Sequence, residues 1–164
     1  MKQKTITYLL LFLFTSILIS CGGSDNESSE ATGGEPQSMI SSEPKTLEEA
    51  EKGWQTNNGV GTITAFELPT EIDQAMADSG EAVYEAKCTA CHKPDKDFIG
   101  PSPKGIMERR TPAWVMNMII DPEGMIAKDP IARQLLIKFN GAPMANQNLT
   151  EEEARAVLEY FRTL

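Results

Sequence analysis

The sequence predicts a small all-α domain, and three observations carry that expectation. Two segments open with a capping residue followed by proline, Thr111-Pro112 and Asp129-Pro130, the order that starts a helix. The C-terminal stretch opens on Thr150 and Glu153 as a capping box and carries acids at 151–153 in its first turn. It then sets Ala154, Val157, Leu158 and Phe161 on one apolar stripe. No strand–turn–strand pattern stands out anywhere along the 164 residues.

Residues 1–20 do not belong to that domain. Lys2 and Lys4 give a positive start, and residues 8–19 form an almost uninterrupted apolar run of twelve. A membrane span needs about 20 such residues, so the run reads as the core of a signal peptide rather than a transmembrane helix. It ends in Leu-Ile-Ser-Cys-Gly-Gly, with Cys21 fourth. This order resembles the bacterial lipoprotein box, which implies cleavage before Cys21 and a lipid on its thiol. Two or more acyl chains hold a protein stably on a bilayer, at about 0.8 kcal/mol per buried methylene. The expectation is an exported protein, lipid-anchored to a bacterial membrane and facing the periplasm or the cell exterior.

Residues 21–45 are rich in Gly, Ser, Glu and Pro and have almost nothing to bury, so they read as a flexible acidic tether. As a coil of about 24 residues it would span roughly 25–30 Å. Acidity is uneven along the chain: residues 22–77 hold eleven acids against Lys45 and Lys52 alone. With a formal net charge of −9 and no basic cluster, nucleic acid is not an expected partner, nor is electrostatic docking on anionic lipid. Residues 46–77 read as an N-terminal extension packing on the domain. Thr46 and Glu49 suggest a capping box on a short helix, Asn57-Asn58-Gly59 marks a loop, and Trp54, Ile63 and Phe66 supply apolar contacts.

The domain proper is expected over residues 78–164. Its first helix starts with Ser79 as N-cap and leads into Cys88. The second begins at Pro112, runs apolar through Trp114, Val115, Met118 and Ile119, and stops before Pro122; a Pro-Glu-Gly loop follows. The third begins at Pro130, repeats Ile131, Leu135 and Phe139, and stops at Gly141. About 90 residues is short for a core that must stand alone.

Chemistry concentrates in Cys88-Thr-Ala-Cys91-His92, which uses two of three cysteines and the one histidine. Structural zinc needs four ligands, and neither a second histidine nor a spare cysteine exists to complete them. A thioredoxin-type redox pair belongs at a strand-to-helix junction, which an all-α chain lacks. Covalent haem attachment asks for two thiols, which become thioethers, and one imidazole for the iron. Of the three, the residues favour haem.

Gly80, Tyr84, Cys88, Cys91 and His92 stand at the spacing G-x-x-x-[FY]-x-x-x-C-x-x-C-H, and the chain here resembles the class I monohaem cytochromes c. The resemblance covers about residues 78–164. It implies a small helical fold around one covalently bound haem c, with Gly80 allowing a close crossing by the last helix near Val157 and Tyr160. Gly100-Pro101 is similar to the family's Gly-Pro turn, which implies that the Pro101 carbonyl accepts the Nδ1–H of His92. Here the turn lies nearer the haem motif than in mitochondrial members, and Pro103 takes the place of the usual leucine.

Without a second histidine, the sixth position of the iron falls to a methionine or stays open. Met144, in a Pro-Met loop before the last helix, stands where the family places its axial methionine. Met116 and Met118 read as core, with Met107 and Met125 as lesser choices; Trp114 reads as packing. Arg109 and Arg110 read as solvated, with haem propionates as their alternative use. His/Met ligation closes both axial positions and suits electron transfer. The expected function is therefore not catalysis but one-electron carriage between a membrane donor and an exported reductase or oxidase. Residues 108–132 also look like small haem lipoproteins found beside nitrous-oxide reductase, which suggests that enzyme as acceptor. The rival reading is a haem-based gas sensor or peroxidase-like enzyme, which requires an open iron.

Overall fold

A computed structural model describes residues 43–164; the signal segment, Cys21 and nearly all of the tether lie outside the described residues. The described chain forms six α-helices and no strand: α1 Leu47–Ala50, α2 Gln74–Lys87, α3 Pro112–Ile120, α4 Pro122–Lys128, α5 Pro130–Lys138 and α6 Glu151–Phe161. The all-α expectation holds among these residues. Every helix opens on a side chain that accepts a backbone N–H: Thr46, Asp73, Thr111, Asp121, Asp129 and Thr150. At α6 the capping box is complete, whereas at α1 the Glu49 carboxylate reaches past Thr46 to the N–H of Lys45.

Two helix boundaries differ from the sequence reading. The first long helix starts at Gln74, capped by Asp73, and Ser79 lies inside it with its hydroxyl donating to the Ala75 carbonyl at 3.1 Å. A serine can satisfy itself against the preceding turn, so it need not mark a start. The expected boundary at 77/78 thus falls within α2. The Pro-Glu-Gly stretch is not a loop but the first turn of α4, where Asp121 caps the Gly124 N–H at 3.0 Å. Glycine is useful there because a Cβ on Gly124 would meet the capping carboxylate at 2.1 Å.

The frame of the fold is the crossing of α2 and α6. At Gly80 the helices touch backbone to backbone: a Cβ there would lie 1.9 Å from the Ala156 carbonyl oxygen and 2.8 Å from the Val157 nitrogen. Tyr84 packs one turn further on, 5.4 Å from Tyr160 and edge-on to Phe161 at 5.7 Å. Ala154, Val157 and Leu158 are fully buried beneath the crossing.

Residues 46–73 wrap this frame as an arm held by buried polar side chains. Asn117 of α3 accepts from the Ile63 N–H and donates to the carbonyls of Ile63 and Asn58. Asp129 binds the indole N–H of Trp114 at 3.0 Å and the Asn57 amide at 2.8 Å while capping α5. Glu159, fully buried in α6, accepts from the Asp73 N–H at 2.8 Å and pairs with Arg155 at 2.5 Å and Arg162 at 2.6 Å. Such groups can be buried only because each has its partners. Ile63 is buried, and Trp54 and Phe66 lean against the core.

Candidate haem site

The Cys88–His92 segment is a turn that continues α2. Cys88 N–H donates to the Tyr84 carbonyl, and the N–H groups of Cys91 and His92 both donate to the Cys88 carbonyl at 3.1 and 2.9 Å. The loop then closes on itself, because Gly100 N–H returns to the Cys91 carbonyl at 2.9 Å. The closure places the Pro101 carbonyl oxygen 2.8 Å from His92 Nδ1. A carbonyl can only accept, so Nδ1 carries the proton and Nε2 keeps a free lone pair. Both thiols are free, Cys91 exposed and Cys88 half-buried. Burial, then the neighbouring Cys91, pushes the Cys88 thiol up to about 11.

These groups open onto one cavity. Its walls come from Tyr84 on α2, Trp114, Val115 and Met118 on α3, Leu135 on α5 and Phe139 at its C-cap, and Val157 and Phe161 on α6. The 99–106 loop and the 142–149 loop close two further sides. Of the methionines considered from sequence, Met144 and Met118 line the cavity. Met116 is buried away from it, and Met107 packs against the core. Met125 is fully buried with its sulfur accepting the Val60 N–H at 3.0 Å, so it is committed to the arm.

Neither arginine is simply solvated. Arg109 donates to the carbonyls of Ser102 and Lys104 at 2.6 and 2.9 Å and so braces the loop that carries Pro101. Burial, then the adjacent Arg110, lowers its pKa. Arg110 is 3% exposed, pairs with Glu51 of the arm at 2.5 Å and lies over the Trp114 ring at 5.1 Å. Sequence reasoning also missed what Gly100 does: a Cβ there would stand 2.5 Å from His92 Cε1 and 2.9 Å from Nδ1. The signal was the glycine before Pro101, whose absent side chain is the space the imidazole fills.

An apolar cavity beside two thiols and an unengaged imidazole nitrogen fits a flat, largely apolar group that iron and thioether bonds can hold. Tyr84 and Arg110, two of its lining residues, each hold one buried polar atom, Oη and Nε, without a partner among the described residues. Burial, followed by the charges of Cys88 and Tyr160, pushes the Tyr84 hydroxyl up to about 12, so it remains a neutral donor. Among the described residues no cluster of three or more His, Cys, Asp or Glu could hold a bare metal ion.

A family model for cytochrome c matches residues 77–164, more than half the chain. The chain belongs to the cytochrome c family. It resembles the solved cytochrome c from Rhodothermus marinus with 41% identity and a TM-score of 0.60, over 63% of this chain and 88% of that one. An engineered form of the Rhodothermus protein, Rma TDE, aligns with 40% identity and a TM-score of 0.60, over 63% of this chain and 89% of that one. A "Cytochrome c-553-like" protein of Synechocystis is 36% identical over 45 residues, 27% of this chain. The chain spans 43% of the length of that curated relative. The fold is that of cytochrome c, and membership of the family implies a covalently bound haem c.

Proposed function

We propose that the protein is a lipid-tethered carrier of single electrons whose haem is bonded to Cys88 and Cys91 and ligated by His92 and Met144. When bound, the haem supplies an iron that cycles between ferrous and ferric states. The residues do the rest. The Pro101 carbonyl holds the imidazole by its Nδ1–H and makes Nε2 a stronger donor toward iron. The Gly100 backbone lies against the ring and limits its rotation. Met144, on the cavity wall, would offer the iron a thioether, which favours the ferrous state and would exclude small ligands. The apolar walls keep water from the centre, which limits the reorganisation that accompanies each electron.

The observation that carries this reading is that His92, with only Nε2 unengaged, and Met144 line the same apolar cavity. An open-iron sensor or peroxidase would need Met144 elsewhere. Attachment through Cys21, with residues 22–45 as spacer, rests on the Leu-Ile-Ser-Cys-Gly-Gly order and the acidic low-complexity run behind it. Among the described residues no helix is long and apolar enough to cross a membrane. The protein then faces the periplasm or exterior and passes electrons from a membrane donor to an exported reductase or oxidase, with nitrous-oxide reductase the first acceptor to try.

A redox titration of the holoprotein, followed by carbon monoxide addition, tests the assignment. The expected result is a reversible one-electron curve and a reduced spectrum that carbon monoxide leaves unchanged. Ready carbon monoxide binding by the wild type overturns the carrier reading in favour of an open-iron protein.

A further inference from the structure

Ser102 is held at every polar atom it has. Its N–H donates to Asp97 Oδ1 at 2.9 Å, and its hydroxyl donates to the Pro94 carbonyl at 2.7 Å while accepting the Lys104 N–H at 3.2 Å. Its carbonyl accepts from Arg109 at 2.6 Å. The first of these bonds matters beyond the loop, because the Ser102 N–H and the Pro101 C=O belong to one planar peptide unit. The oxygen of that unit lies 2.8 Å from His92 Nδ1. A chain of hydrogen bonds therefore runs from a carboxylate, through a peptide group, to the imidazole.

Resonance shares the peptide nitrogen's lone pair with the carbonyl oxygen, so an anion that accepts from the N–H leaves more negative charge on that oxygen. Bonds in such a chain strengthen one another by about 10–30% each. The Asp97 carboxylate thus makes the Pro101 oxygen a better acceptor, and the firmer hold on Nδ1–H makes Nε2 a stronger donor. Asp97 Oδ2 faces Lys138 of α5 at 3.7 Å, but both side chains are half-exposed, so that ion pair is weak and offsets little of the charge. Solvent and salt likewise weaken the direct field of Asp97 in the cavity, which favours the bonded path over the through-space one.

We propose that Asp97 is a positioning residue for the proximal iron ligand. Through the peptide unit of Pro101 and Ser102, its carboxylate tightens the hold on His92 Nδ1–H and lowers the reduction potential. A stronger imidazole donor favours ferric over ferrous iron, which sets the sign. The inference rests on His92 as a ligand of the haem iron, and is independent of Met144 and of the lipid. Asp95 is also exposed and carries the same charge, but the Ser102 N–H goes to Asp97, so Asp95 serves as the control.

The chain has one histidine, so [15N]histidine labelling of the reduced holoprotein gives a single imidazole to read by NMR. Asp97→Asn, at a half-exposed site, keeps an oxygen for the Ser102 N–H and removes the charge. The His92 Nδ1–H proton resonance should move upfield as its bond weakens, and the midpoint potential should rise. Asp97→Ala removes the acceptor as well and should move both further. Asp95→Asn should leave the resonance in place. A wild-type resonance in Asp97→Asn overturns the proposal, as does an equal movement in Asp95→Asn, which would mark a general effect of charge. Wild-type imidazole protons without a porphyrin ring-current shift would show that His92 does not ligate the iron, and the ligation reading would then fall together with the proposal.

Discussion

The substitution Gly100→Ala asks whether the imidazole of His92 is held or free. An alanine methyl would sit 2.5 Å from Cε1, 2.9 Å from Nδ1 and 3.0 Å from Nε2, against the face of the ring. Gly100 has no left-handed backbone angle, so alanine brings no backbone strain and the whole effect is steric. A free side chain would swing away at a cost under about 0.5 kcal/mol, the size of an ordinary surface change. A ring tied at Nδ1 to Pro101 and, on the proposed ligation, at Nε2 to iron cannot do so. Overpacking then costs about 1–3 kcal/mol, and weakening the Nδ1 bond adds about 1 kcal/mol. At about 4 °C per kcal/mol, thermal denaturation of the holoprotein should show Tm falling by about 8–16 °C. The potential should also rise, because a weaker bond to Pro101 makes the imidazole a poorer donor to ferric iron. A Tm within 2 °C of wild type, at an unchanged potential, would refute the claim that the loop fixes the ring.

Gly80→Ala tests the helix crossing separately. The gain of about 1 kcal/mol in helix propensity is outweighed by contact with the Ala156 backbone, so a net loss of about 2 kcal/mol is expected by denaturant titration, with the potential unmoved. Glu159→Gln leaves Arg155 and Arg162 without their shared counter-charge; a loss of about 3 kcal/mol and faster proteolysis within residues 66–73 should follow. Cys21→Ser should move the protein from the membrane to the soluble fraction with its spectrum intact, and continued retention would point to the uncleaved signal as anchor. Deleting residues 24–38 should slow electron transfer to a membrane-bound partner at constant potential, since reach grows roughly as the square root of length.

What the sequence revealed most directly was chemistry that is local in the chain. Cys88, Cys91 and His92 fall within five residues, and the Thr111-Pro112, Asp129-Pro130 and Thr150–Glu153 starts are settled within one helical turn. The start of α2 was ambiguous because Asp73 and Ser79 are both capping types, and only packing against Glu159 selects the first. Helix α4 was hidden by Gly124, a weak helix former that is retained because the Asp121 carboxylate fills the space above it. The anchoring of the arm left no local trace. Asn117, Asp129 and Glu51 act on residues 54 to 72 positions away in the chain, and no periodicity reports such contacts. The distinction between Arg109 and Arg110 is of the same kind: adjacent in sequence, one braces the loop that carries Pro101 and the other pairs with Glu51 of the arm.

The central claim, that Met144 and His92 both ligate the haem iron, is tested most directly by the methyl resonances of the seven methionines that remain after cleavage before Cys21. In the reduced, diamagnetic holoprotein labelled with [methyl-13C]methionine, a methyl group bonded through sulfur to iron lies over the porphyrin ring current. Its resonance must then move far upfield of the other methyls. The account predicts one such resonance in the wild type and its disappearance in Met144→Ala, whereas Met118→Leu retains it. The absence of any strongly upfield methyl, or one that survives Met144→Ala and vanishes with Met118→Leu, would contradict it.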